Sequence, residues 1–197
     1  RWSWEALSEP DRAALVQVSA FRGPVPDDAV GVAVHRLVAA RLVRRLNDGV
    51  VPWHAVREFA ASQADPDAQR AASVAHATWV ARFAERQVAA LWGPGYRDAV
   101  DALERREADL VAAGPSLVEG DLAGVTLARA ELAFERAQFG RVVGLVDAVL
   151  PSVATDDPHR LPLMCVAATC VGRAGDWPES EIRARAALAE ARTPADR

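Results

Sequence analysis

The histidines, cysteines and clustered carboxylates are the residues with which this chain could do chemistry, and their spacing argues against catalysis. His35, His54, His76 and His159 fall in separate predicted elements, and none is joined by a second metal ligand at helical spacing. Cys165 and Cys170 lie five apart in an apolar stretch that reads as helix. Without a neighbouring His or further Cys they fit neither a zinc site nor a disulfide framework, and they read as two small buried thiols. Gly93-Pro94-Gly95 has no strand before it and no Gly-Lys after it, so it is not a phosphate loop, and no Gly-x-Ser-x-Gly elbow occurs. Glu104, Glu107 and Asp109 alternate with Arg105 and Arg106 along one predicted helix, the pattern of a solvated face rather than of an acid/base pair. The reading is a non-enzyme, with no catalytic residues and no metal site.

Composition narrows the class further. A chain of 197 residues with 51% hydrophobic and 25% charged residues can build a packed core, which excludes wholesale disorder. All 23 basic residues are Arg, a bias expected of a GC-rich coding genome rather than of a binding mechanism. The net charge of -4 disfavours a nucleic-acid coat or a membrane-surface binder. No apolar run reaches the ~18 residues needed to span a bilayer, no signal peptide is evident, and the expected location is cytoplasmic. The first residue is Arg1 and the only Met is Met164, so an excised or processed part of a longer protein is expected.

The elements that would position these residues are mainly helical. Ser8, Pro10 and Asp11 predict a helix start, and Leu7, Ala14, Leu15, Val18 and Phe21 give its apolar stripe before Gly23-Pro24 stops it. A short helix over 26–32 and another over 34–41 are followed by the chain's single hairpin signal. There Leu42 to Leu46 and Val50 to Trp53 flank Asn47-Asp48-Gly49, whose Asp-Gly pair supplies the positive φ of a tight turn. Three helices, a hairpin and a closing helix from His54 to about Ser62 are the order of a winged-helix module, expected over 1–63.

From 64 to 115 a helical linker or first hairpin is expected, and from 116 to 197 a set of tetratricopeptide-like helical repeats. Helices are placed near 66–91, 95–112, 119–137, 139–150, 160–174 and 178–192, with breaks at Gly93 to Gly95, Gly114-Pro115, Pro151, Asp157-Pro158 and Gly175 to Pro178. The segment from Ala137 to Ala148 aligns with that from Gly175 to Ala186 at an offset of 38, matching Phe139 to Trp177 and Ala148 to Ala186. Two repeats are fewer than such an arm usually needs, so truncation at Arg197 is expected.

Several stretches resemble a known family in their order. Trp4-Glu5-x-Leu7-x-x-x-x-Arg12-x-x-Leu15-x-x-x-Ser19-x-Phe21-x-Gly23 is similar to the segment that follows the nucleotide-binding core of bacterial STAND ATPases, the NB-ARC-type regulators of the SARP and LuxR-type classes. Leu37-x-x-x-x-Leu42-x-x-x-Leu46 resembles that family's approach to the wing. His54-x-Val56-Arg57-Glu58-Phe59-Ala60, His76-Ala77-x-Trp79-x-x-x-Phe83-Ala84 and Leu103-Glu104-x-x-x-Ala108-Asp109-Leu110-x-x-Ala113 resemble its later stretches, with Asp109 where Asn is expected. The likeness covers about the first 115 residues, and a tetratricopeptide-like arm usually follows.

The resemblance implies a fold, mainly α, with a winged-helix module and one β-hairpin followed by a tetratricopeptide-like superhelix. It also implies a function: a non-enzymatic regulatory and protein-interaction module that couples the nucleotide state of a larger ATPase to partner or inducer sensing in transcriptional regulation. In that family a Met-His-Asp histidine contacts the phosphates of bound ADP. Trp53-His54-Ala55 stands in its place, which makes His54 the candidate phosphate sensor; the competing reading is a capping or packing His at a helix start. No cofactor belongs to this chain itself, while ATP or ADP is implied for the parent protein. The expected partners are the parent's nucleotide-binding core and a protein or small-molecule inducer.

Arg129, Glu131, Glu135 and Arg136 are candidate partner-binding residues on the first helix of the first repeat, with a solvated face as the competing reading, and Phe139 and Trp177 are expected to pack the hairpins. The alternative function is a self-standing winged-helix transcription factor in which Arg36, Arg41, Arg44 and Arg45 meet duplex phosphates, with a helical dimerisation or ligand-binding domain. Against it, residues 1–62 hold eight Arg and seven acids, a net of only +1.

Overall fold

The computed structural model describes residues 4–31 and 33–191. Among them the chain is mainly α-helical with one two-stranded antiparallel hairpin. It divides into two compact units, one of residues 1–80 with 108–117 and the other of residues 81–107 with 118–197. This division falls at other places than the boundaries expected after 63 and 115. The chain does break between helices near the first expected boundary, but α5 (Pro66–Leu91) starts beyond it and the division falls inside α5. Residues 108–117 return to the first unit because Asp109, Leu110 and Ala113 are buried there.

In the first unit, α1 (Glu9–Ala20) begins where Ser8 caps it. The Ser8 hydroxyl donates to the Asp11 carboxylate at 2.6 Å and accepts from the Asp11 amide at 3.4 Å, while Pro10 occupies the first turn, where a missing N–H costs nothing. Next come α2 (Asp27–Val30) and α3 (Ala33–Ala39). Both are shorter than expected, and Val32, placed in the second helix by the sequence, lies outside the described residues. The hairpin of β1 (Val43–Leu46) and β2 (Gly49–Pro52) pairs Val43 with Pro52 and Leu46 with Gly49, and α4 (His54–Gln63) closes the unit.

One pairing had no sequence signal. Val25 forms an isolated bridge with Val50: the Val25 amide donates to Val50 O at 2.7 Å and the Val50 amide to Val25 O at 2.9 Å. Leu15, Val18, Phe21, Val25, Leu37, Leu42, Val50 and Ala60 form one core around it. Each large side chain fully buried there stabilises the unit by about 1.5–3 kcal/mol.

The second unit contains the end of α5, α6 (Tyr96–Arg105), α8 (Glu119–Glu135), α9 (Phe139–Val149), α10 (Arg160–Arg173) and α11 (Trp177–Ala191). The single helix expected over 95–112 is two: α6 ends at Arg105, the next amide, that of Arg106, turns back to Leu103 O at 3.1 Å, and α7 (Glu107–Ala113) follows. No Gly or Pro marks this break, so the helical spacing on either side concealed it. The α11 helix also ends at Ala191, and residue 192 lies outside the described residues.

The offset of 38 found in the sequence recurs in the backbone. After α8, the Gln138 amide donates to Ala133 O at 2.9 Å and the Ala137 amide to Phe134 O at 2.8 Å. After α10, Asp176 donates to Val171 O at 3.2 Å and Gly175 to Gly172 O at 3.0 Å. These are two Schellman turns at equivalent positions, and the residue between them is left-handed in both, Ala137 at φ 55° and Gly175 at φ 98°. Ala137 pays about 1–2 kcal/mol for a conformation that Gly adopts freely. Small residues let the second pair of helices approach closely. A Cβ on Gly172 would stand 2.9 Å from the Ser180 hydroxyl and 3.3 Å from the Trp177 ring. Salt bridges link Glu107 to Arg141 of α9 at 3.3 Å and Asp147 of α9 to Arg183 of α11 at 2.6 Å.

No helix among the described residues is long and apolar enough to cross a membrane.

Candidate functional site

His54 is the first residue of α4, and its side chain is 84% exposed. Neither capping nor packing describes it. Glu58, one turn on, stands beside it, with the Nδ1 to carboxylate separation at 3.5 Å. The preceding Trp53 carries no side-chain oxygen and provides no cap hydrogen bond. The first backbone bond of the helix is made by the Arg57 amide to Trp53 O at 2.9 Å, so the amides of His54, Ala55 and Val56 have no acceptor within the helix. An imidazole beside an uncapped, dipole-positive helix end can receive a phosphate oxygen. Trp53 is fixed from behind: its indole N–H donates to Arg41 O at 3.2 Å, and the Arg44 guanidinium lies 5.8 Å from its ring.

The four Arg of the duplex-binding alternative are not gathered into one basic stripe. Arg36 donates to Asp11 at 2.6 Å, and Arg45 pairs with Asp27. Those bonds, the Ser8 hydroxyl first and then Arg36, hold the Asp11 carboxyl below its ordinary range. Arg44 and Arg45 are neighbours in β1, so their side chains leave opposite faces of the strand, toward Trp53 and Asp27 respectively. Arg41 has φ 58° and ends α3 in a third Schellman turn, with the Leu42 amide on Leu37 O at 3.0 Å. Its backbone conformation directs the chain into the hairpin.

Sequence reasoning missed a buried polar cluster in the same unit. Asp109, assigned above to a solvated face, is 1% exposed, and His76 is 3% exposed. The Asp109 carboxylate accepts the Arg22 amide at 2.6 Å and lies 3.2 Å from His76 Nε2. Phe21 packs on the imidazole in a T-shaped contact, with ring centroids 4.6 Å apart. Burial lowers the pKa of the Arg57 guanidinium, the neighbouring Arg22 lowers it further, and Asp109 opposes both. The signal that could have found this cluster was the apolar spacing of Leu103, Leu110 and Ala113, which puts Asp109 beside the buried stripe.

In the helical unit the four partner-binding candidates separate. Arg136 is committed to Glu107 at 2.6 Å and Glu104 at 3.4 Å, and these Arg136 contacts, with Arg141, hold Glu107 below the usual carboxylate range. Burial lowers the Arg129 guanidinium, whose Nε has no hydrogen-bond partner. Glu131 and Glu135, one turn apart, face a cavity of about 660 Å³. Its walls are Leu91, Trp92 and Tyr96 on one side and Leu161, Pro162, Cys165, Val166 and Thr169 of α10 on the other, with Phe134 between. The Tyr96 hydroxyl donates to Glu135, and this bond, with burial, pushes the phenol up to about 12. Burial, then Glu135, raises Glu131.

Phe139 packs against Phe134 with ring centroids 6.0 Å apart, as expected of a hairpin residue. Trp177 touches the Gly172 position yet is 71% exposed. The two thiols are not alike: Cys170 is buried and pushed up to about 11 by that burial, whereas Cys165 is exposed, which corrects the expectation of two buried thiols.

Compared with family models, with curated proteins and with solved structures, the chain matches none.

Proposed function

We propose that this chain is a non-enzymatic coupling module of a STAND-type transcriptional regulator. In this reading a winged-helix unit senses the nucleotide held by the parent ATPase, and a tetratricopeptide-like helical unit receives a partner or small inducer. The observation that carries it is the exposed His54 imidazole at the uncapped start of α4, beside three amides without helical acceptors. The order of α1, the Val25 bridge, α2, α3, the hairpin and α4 supports the winged-helix assignment. The paired hairpin turns at an offset of 38 support the repeat assignment.

His54 and the α4 amides fit a phosphate chemically, since each offers a donor and the helix end favours negative charge. The nucleotide itself is bound by the parent's core; this chain's part is to donate to its phosphates in one state and release them in the other. The duplex-binding alternative is less well supported, because Arg36 and Arg45 are already paired with carboxylates.

In the intact regulator, His54→Ala removes a charge-assisted bond of about 1.5–3 kcal/mol, so ADP release is expected to accelerate by about tenfold or more. Fluorescent ADP chase measures this rate. Release at the wild-type rate would overturn the assignment.

A further inference from the structure

We propose that the cavity of the helical unit binds a small hydrophobic organic cation, held by Glu131 and Glu135 against the rings of Trp92, Tyr96 and Phe134. This inference rests on the reading of the helical unit as the receiving arm and names the chemistry of what it receives.

Size sets the class of ligand. At about 660 Å³ the cavity falls within the range of about 300–1,000 Å³ typical of small-molecule sites, with apolar walls and a few polar groups that fix orientation. Charge sets its sign. The lining contains two carboxylates and no Arg, Lys or His. Several other carboxylates of this unit are ion-paired: Glu107 with Arg136 and Arg141, Asp147 with Arg183, and Glu190 with Arg160 at 2.6 Å. Glu131 has no ion-pair partner among the described residues, and burial and Glu135 both act against its charge. A neutral apolar ligand would strip water from these carboxylates and give nothing in return, and an anion would be repelled. A cation offsets both costs.

The aromatic groups suit the same ligand. Trp92 lines the cavity and is 74% exposed, which leaves its ring accessible to a cation. The Arg173 guanidinium, which is not part of the lining, lies 5.3 Å from the Phe134 ring and shows the same kind of contact within this unit. Arg97 acts on Tyr96 and is likewise outside the lining.

Cys165 supplies the readout, because it is exposed in the α10 wall while Cys170 is buried and pushed up to about 11. Maleimide labelling of the full chain at neutral pH should therefore report Cys165 alone. Benzyltrimethylammonium is expected to slow labelling several-fold and to bind, by calorimetry, about tenfold tighter than neutral benzyl alcohol. The double substitution Glu131→Gln and Glu135→Gln should erase that preference while leaving benzyl alcohol unchanged. Equal affinity for the two probes, or an unchanged preference in the double variant, would overturn the proposal. So would tight binding of an Arg/Leu amphipathic peptide that benzyltrimethylammonium cannot displace.

Should the double variant unfold, Trp92→Ala at the exposed rim must weaken the cation several-fold, and unchanged binding would overturn the proposal. The two readings fail separately. Cation binding with ADP release insensitive to His54→Ala removes the coupling reading and keeps this site, and the reverse pattern removes the site alone.

Discussion

Asp109→Ala is expected to lower the unfolding free energy by about 3–5 kcal/mol, measured by urea titration of the full chain. The substitution leaves the Arg22 amide and the His76 imidazole without the acceptor that now lies 2.6 Å and 3.2 Å away, in a place where water does not replace it. Each stranded buried donor costs about 1–3 kcal/mol. It also removes the carboxylate that offsets the mutual repulsion of Arg22 and Arg57. Such a loss is comparable to that of a Leu→Ala change in the core, about 2–5 kcal/mol, although no apolar surface of that size is deleted. Asp109→Asn keeps an oxygen for the Arg22 amide and should cost less than half as much. Equal costs for Ala and Asn would mean that the carboxylate is not the organising group.

Gly49→Ala should cost about 3 kcal/mol, the second largest effect, read in the same titration. A Cβ at this position would stand 2.2 Å from Val25 O and 2.7 Å from Val25 C, and both are backbone atoms that cannot rotate away. The residue also has φ 138°, a conformation that costs a side-chain-bearing residue about 1–3 kcal/mol. Relief of the clash requires the Val25–Val50 bridge to open, with the loss of two hydrogen bonds worth about 1 kcal/mol each. Gly114→Ala, where a Cβ meets nothing within 4 Å, is the control and should shift stability by less than about 1 kcal/mol. Similar losses at both positions would refute the close-approach argument.

Gly49 also shows what was legible in the sequence. Its pairing with Asp48 announced the hairpin, because turn chemistry is local. What demands Gly there, the approach of Val25 from 24 residues upstream, is not local and left no mark. The same distinction runs through the chain. Ser8, Pro10 and Asp11 announced the start of α1, and the Gly- and Pro-rich breaks announced most helix ends, while the Arg106 break between α6 and α7 had no such residue. Asp109 was misread because Arg105, Arg106 and Glu107 surround it, and charge alternation outweighed the apolar spacing that buries it.

In the candidate sites, His54 was legible from its place at the start of a helix after a hairpin. Its exposure was not, since packing and sensing histidines share that place. Of the four residues proposed for the helical arm, only Glu131 and Glu135 face the cavity. Arg136 is drawn off by Glu104 and Glu107, acids 29 or more positions away in the chain, and Arg129 is half-buried with its Nε unpartnered.

The start of α4 is the proposed sensor of nucleotide phosphates. Amide hydrogen exchange at His54, Ala55 and Val56 tests it most directly, because their N–H groups are the ones left without helical acceptors. If the chain is part of a nucleotide-switched regulator as proposed, exchange at these three amides in the intact protein should be slower, by about tenfold or more, in the ADP-bound form than in the ATP-bound or nucleotide-free forms. Equal exchange in all three forms would contradict the proposal.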